Sequence, residues 1–189
     1  MATEKTALTS SGVNLTSNFY LKNFYRFNRS AIKASDRKDF STTELSYEDT
    51  RALRRGLAKL SSFRYEKGEN GDNLVNSIKA FTETYNNTID TTSAKGSDIA
   101  RLNKQLKTLT QKYSEDLEDI GITLDKDGKM SVKENILKSS SFDEIGRVFS
   151  DDTDYMKGLN RIAKRMNGEA YDDVYAMMTG CGGRLNVQL

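Results

Sequence analysis

The chain has no histidine, no proline and no tryptophan, and a single cysteine, Cys181. Without His it lacks the commonest general base and metal ligand, and Ser-His and Cys-His triads are excluded. One Cys excludes an internal disulfide and a cysteine zinc cluster. Without Pro, nothing forces a kink into a helix. No stretch approaches the ~20 apolar residues that span a bilayer. Met1 to Thr16 is polar and does not read as a cleavable secretory signal. These features fit a cytoplasmic protein, or one exported by a route that needs no cleaved signal.

Hydrophobic residues make up 36% of the 189 residues and charged residues 30%. Mean hydropathy is −0.68. That supports a thin core of the kind built by helices that each bury one stripe. With 29 basic and 27 acidic residues, the net charge of +2 creates no field to steer nucleic acid or an anionic membrane.

Residues 1–18 are rich in Ser, Thr and Asn and read as a disordered tail. Phe19, Tyr20, Leu21, Phe24, Tyr25 and Phe27 then form a dense aromatic patch, with Lys22, Arg26 and Arg29 between them. Spacing of three and four suggests a short helix with one adhesive side. Phe19, Tyr20, Phe24 and Tyr25 are its candidate partner-docking residues. The same mixture could stack on single-stranded nucleic acid, but the balanced charge favours a protein partner.

Ser46 to Asp49 reads as the start of a helix, with Leu53, Leu57 and Leu60 as its stripe and Arg51, Arg54, Arg55 and Lys59 around it. Gly68 to Gly71 marks a turn. Asp72 can cap a helix carrying Leu74, Val75, Ile78, Phe81, Tyr85 and Ile89 on one face. Ser97 or Asp98 can cap the next. Its seam is Ile99, Leu102, Leu106, Leu109, Tyr113 and Leu117, continuing to Ile120, an almost unbroken alternation of three and four. A short connection makes antiparallel neighbours natural, so about 73–120 reads as an antiparallel coiled-coil hairpin.

Gly121 has the position of a C-terminal glycine cap. Beyond it, Ile122 and Leu124, then Met130 and Val132, alternate with polar residues around Asp127-Gly128. This predicts a β-hairpin over about 121–133. Shorter helical pieces follow, with Ile136 and Leu137, then Phe142, Ile145, Val148 and Phe149. Asp151-Asp152 reads as a cap for a helix with Tyr155, Leu159, Ile162 and Met166, and Asn167-Gly168 as its stop. A last short helix would carry Tyr171, Val174, Tyr175, Met177 and Met178, and 179–189 would be a flexible tail.

The expectation is a mainly α fold: an elongated helical bundle with an antiparallel coiled-coil hairpin and one small β-hairpin, forming a single domain over 19–178. There is no internal repeat and no Gly-rich phosphate loop, so no cofactor is implied. Acidic pairs such as Glu115-Asp116 and Glu118-Asp119 are explained as the wet face of a helix, and the chain reads as non-enzymatic.

Two motifs bear on function. With Gly128 at the sixth position of a calcium loop, Asp125, Asp127, Ser131 and Glu134 fall at ligand positions three, five, nine and twelve. Thr123 falls at position one, where an Asp is wanted, and the hairpin accounts for every residue of the segment. The second motif is an order of elements. Phe81, Tyr85 and Asn86 precede the heptad helix. Ile120-Gly121-Ile122 and Asp127-Gly128 follow it, with Phe149 after the post-hairpin helix. Over roughly Leu74 to Met166 this resembles the C-terminal helical region of flagellar hook-associated protein 2, the flagellar filament cap protein. The family's N-terminal portion and large β-rich domains have no counterpart here. The resemblance implies a helical, bacterial structural protein at the flagellum or outside the cell. It would associate with itself, as a homo-oligomer, or with filament components through the seam. The alternatives are a calcium-binding helical regulator and an intracellular adaptor using the basic-aromatic patch with Arg51, Arg54 and Arg55.

Overall fold

In the computed structural model the described residues are 37–66, 71–93 and 98–179. Thr42–Asp172 forms one compact unit, while residues 37–41 and 173–179 belong to a second. The aromatic patch at Phe19, Tyr20, Phe24 and Tyr25 and the terminal Cys181 lie outside the described residues.

The first helix of the larger unit, α1, spans Thr42–Ser61 and buries Leu53, Leu57 and Leu60 completely. It begins before the predicted start, so Ser46 and Asp49 are not caps but buried positions within the helix. Asp49 is tolerated there because the Thr91 hydroxyl donates to its carboxylate at 3.0 Å.

Helix α2 (Gly71–Thr91) buries the predicted face of Leu74, Val75, Ile78, Phe81, Tyr85 and Ile89. Asp49 meets Thr91, and Gly56 faces Phe81 and Thr84, so α1 and α2 run antiparallel. A Cβ on Gly56 would lie 3.6 Å from the Phe81 Cα. That is ordinary van der Waals contact, so the two helices pack closely with room left for a Cβ.

Helix α3 (Asp98–Lys112) follows, and its early turns are tied to the end of α2. Asn103 Nδ2 donates to Ile89 O and to Thr92 Oγ1, both at 2.8 Å. The sequence predicted one unbroken helix to residue 120. The structure breaks it at Tyr113 (φ −106°, ψ 21°) before the short α4 (Ser114–Asp119). Thr110 donates its hydroxyl back to Leu106 O at 3.0 Å, and Tyr113 N bonds to Thr110 O. Back-bonding of this kind bends a helix.

Gly121 (φ +83°) ends α4 and opens the hairpin. Strands β1 (Ile122–Leu124) and β2 (Met130–Val132) pair antiparallel in the register Ile122↔Val132 and Leu124↔Met130. Helix α5 (Glu134–Ser139) follows, then α6 (Phe142–Phe149), where Ser141 and Glu144 form a reciprocal capping box.

The last helix, α7 (Asp154–Thr179), is continuous. Asn167-Gly168 does not stop it. Met166 and Ala170 on either side are fully buried, and Asn167 is held by Thr50 and Arg54. Packing of the apolar face outweighs the ~1 kcal/mol helix penalty of one Gly. Nor does Asp151-Asp152 cap it. The Thr153 hydroxyl accepts from Met156 N at 3.2 Å and takes that role.

The core of the larger unit is centred on aromatic contacts running from Tyr113 to Tyr155, Phe149, Phe81 and Tyr85, with ring centroids 5.0–6.3 Å apart. In the second unit, a 3-10 turn at Arg37–Asp39 precedes Ser41, whose hydroxyl donates to the Met177 sulfur at 3.8 Å. Met177 and Met178 are exposed. No helix of the described residues is long and apolar enough to cross a membrane.

Candidate functional site

The β-hairpin is held by one face of α2. Lys79, Asn86 and Asp90 are spaced by seven and four residues, which places them on one side of a helix. Each grips a different part of the following structure. The Asn86 side chain meets the outer edge of β2. Its Nδ2 donates to Met130 O and its Oδ1 accepts from Met130 N, both at 2.8 Å. The amide thus acts as a short stretch of neighbouring strand and satisfies an edge that would otherwise be open to pairing.

Asp90 accepts an ion pair from Lys129 at 2.7 Å, just before β2. Lys79 reaches Glu134 at 2.7 Å, and Glu134 also pairs with Lys138 at 2.8 Å. Hydrogen bonds from Lys138 and Lys79 pull the Glu134 carboxyl down to about 2. Behind the hairpin, a Cβ on Gly121 would sit 2.8 Å from Ile136 Cβ. The left-handed backbone and the close approach of α5 both require glycine there.

The candidate calcium ligands have other partners in this geometry. The Asp125 carboxylate accepts from Asp127 N at 2.8 Å and Lys129 N at 2.9 Å, closing the turn. Those backbone bonds hold its pKa below the ordinary carboxylate value. Ser131 lies inside β2, paired with Thr123. Glu134 is committed to two lysines instead of folding back towards Asp125 and Asp127. No group of three or more His, Cys, Asp or Glu among the described residues is arranged to hold a metal ion.

The predicted seam faces inward. Ile99, Leu102, Leu106 and Leu117 are buried, and Leu109 and Tyr113 pack half-buried against the same core. Leu109 lies against Gly158 of α7, where a Cβ would come within 2.6 Å of it. The chain's own helices occupy the seam, so a partner would have to displace them to reach it. Of the basic residues on α1, Arg51 and Arg55 flank Glu48, and Arg54 donates to Asn167 at 2.9 Å.

One structural position, Tyr65, carried no sequence signal. Tyr65 is 6% exposed and adopts φ +55°, unusual for a residue with a bulky side chain. Its hydroxyl lies 2.8 Å from Leu60 O and 3.0 Å from Phe149 O, tying the ends of α1 and α6 together. Burial pushes its pKa far up, so it stays a donor. Tyr155, wholly buried, directs its hydroxyl at Thr110 at 3.4 Å. The Tyr85 hydroxyl approaches the same Thr110 without closing a well-formed bond, and burial raises it to about 12. A cavity of about 390 Å³ opens beside the start of α2, walled by Leu74, Val75, Leu137, Phe142 and Ile145, with Asp72, Lys138 and Ser140 also lining it.

The clamped hairpin brings together residues that lie far apart in the chain. No protein-family model, no curated protein and no solved structure matches this chain.

Proposed function

We propose that this chain is a non-enzymatic structural protein, resembling the helical part of a flagellar filament cap protein, that assembles with copies of itself or with filament components. The observation that carries the reading is the convergence of the resembling residues. Asn86 clamps Met130, three residues beyond Asp127. The Phe81 ring meets Phe149 edge-on at 5.7 Å. Gly121 opens the hairpin between buried Ile120 and Ile122. These residues come from separate stretches and support one substructure, which is what a shared architecture would select.

Assembly in this reading uses surfaces outside the seam, because Leu102, Leu106 and Leu117 are already covered. The test is the molar mass of the full chain by light scattering coupled to size exclusion, with and without calcium. A defined oligomer, the same in both conditions, is expected. A monomer at all concentrations refutes self-assembly, and a calcium-dependent mass would return the reading to a calcium-responsive regulator.

A further inference from the structure

From its surface charges we infer that the chain self-associates by seating the acidic α4 turn of one copy on a basic stripe of α7 in another. The inference rests on the self-assembly proposed above and names the surfaces that perform it.

Between Asp154 and Glu169, α7 carries Lys157, Arg161, Lys164 and Arg165 and no carboxylate. All four are exposed and spaced at four, three and one, so they share one face, opposite the buried Tyr155, Leu159, Ala163 and Met166. Lys157 bonds to the carbonyl of Asp152. Arg161, Lys164 and Arg165 form no ion pair with any described residue.

Helix α4 is the reverse case. Glu115, Asp116, Glu118 and Asp119 surround the buried Leu117, all exposed, with no cation between residues 114 and 125. None of them has an ion-pair partner within the described residues. Some other charges of the same unit do pair, as Lys79 and Lys138 do with Glu134, Lys129 with Asp90 and Arg101 with Asp98.

The two clusters also match in geometry. Glu115, Glu118 and Asp119 repeat the i, i+3, i+4 spacing of Arg161, Lys164 and Arg165. Each sets three like charges over about one 5.4 Å turn of helix. Like charges at this spacing destabilise a helix, and opposite charges from a second copy relieve both sets together. The contact is polar and exposed, so it supplies specificity and rate of encounter more than tight affinity.

The experiment is sedimentation velocity of the full chain and two charge-reversed variants, R161E/K164E/R165E and E115K/E118K/D119K. Circular dichroism melts check that both remain folded. The parent associates at ~0.05 M salt and weakens at ~1 M, where the screening length falls to ~3 Å. Each variant alone associates at least ~10-fold more weakly, and an equimolar mixture of the two restores association, since each then offers the other's complement. If the parent associates but neither variant differs from it, this inference fails and self-assembly through another surface stands. A monomeric parent overturns both. Binding of the stripe to heparin or to anionic vesicles without self-association also overturns the inference.

Discussion

Replacing Asn86 tests whether the hairpin is held from outside or stands by itself. In Asn86→Ala, two 2.8 Å hydrogen bonds to Met130 disappear. Each such bond contributes a net ~0.5–1.5 kcal/mol, and a buried group left unpaired costs ~1–3 kcal/mol. Met130 is 2% exposed, so water cannot readily replace the lost partners, whereas the Asn86 side chain is half-buried and its site admits some solvent. The expected loss is about 2–3 kcal/mol in urea unfolding, within the range of those terms. Asn86→Asp separates the two bonds. Its carboxylate can accept from Met130 N–H, but its second oxygen then faces Met130 O, and Asp90 lies one turn away. The protonated acid can donate and is favoured in the fold, so its folded-state pKa rises above the ordinary ~3.9. The contribution of the Asp side chain, read as the stability difference between the Asp and Ala variants, is therefore greatest below ~3.9 and falls as pH rises through the raised value. Amide exchange at Met130 reads the clamp directly, because its N–H is the donor to Asn86. An Ala variant within ~0.5 kcal/mol of the parent, with Met130 protection unchanged, would refute the clamp.

Tyr65→Phe removes the hydroxyl shared by Leu60 O and Phe149 O while keeping the ring against Gly146. A loss of ~1–2 kcal/mol in chemical denaturation is expected, and an unchanged midpoint would count against the tie. Gly121→Ala meets Ile136 at 2.8 Å with φ at +83°, whereas Gly168→Ala meets nothing within 4 Å inside α7. Thermal melts should show the first destabilised by ~2 kcal/mol or more and the second stabilised by up to ~1 kcal/mol; the same sign for both would contradict the assigned backbones. Glu134 has its carboxyl lowered from the ordinary 4.5 to about 2 by Lys138 and Lys79. The stability it contributes is present above 4.5 and is lost as pH falls towards about 2. Glu134→Gln should flatten that part of the pH-stability curve, and an unchanged acid slope would remove the pairing from the account.

Much of the architecture was legible in the chain itself, because helices and hairpins announce themselves locally. The 3-4 spacing of Leu74, Ile78, Phe81 and Tyr85 marked the buried face of α2, since burial on a helix repeats every 3.6 residues. Asp127-Gly128 between alternating apolar residues marked the hairpin, and the left-handed Gly121 marked the end of α4. Cap residues were less legible. Asp151-Asp152 and Asn167-Gly168 look like helix ends, but Thr153 and the buried Met166 and Ala170 decided otherwise. A terminal signal worth ~1 kcal/mol is overridden when the apolar stripe continues past it.

What covers the seam of Ile99, Leu102, Leu106 and Leu117 was not written in the seam, because an apolar stripe has the same spacing whether its own chain or another buries it. The identity of the hairpin's clamp was hidden for a similar reason. Asn86 and Met130 are 44 positions apart, and nothing local to either marks the pairing. The left-handed Tyr65 gave no sign either, since one of the carbonyls its hydroxyl meets, Phe149 O, lies 84 positions away. Local periodicity determined the elements and their inner faces. Partners, clamps and the unpaired charges left on the surface were decided only when the elements packed, because those depend on distances that no short stretch of sequence contains.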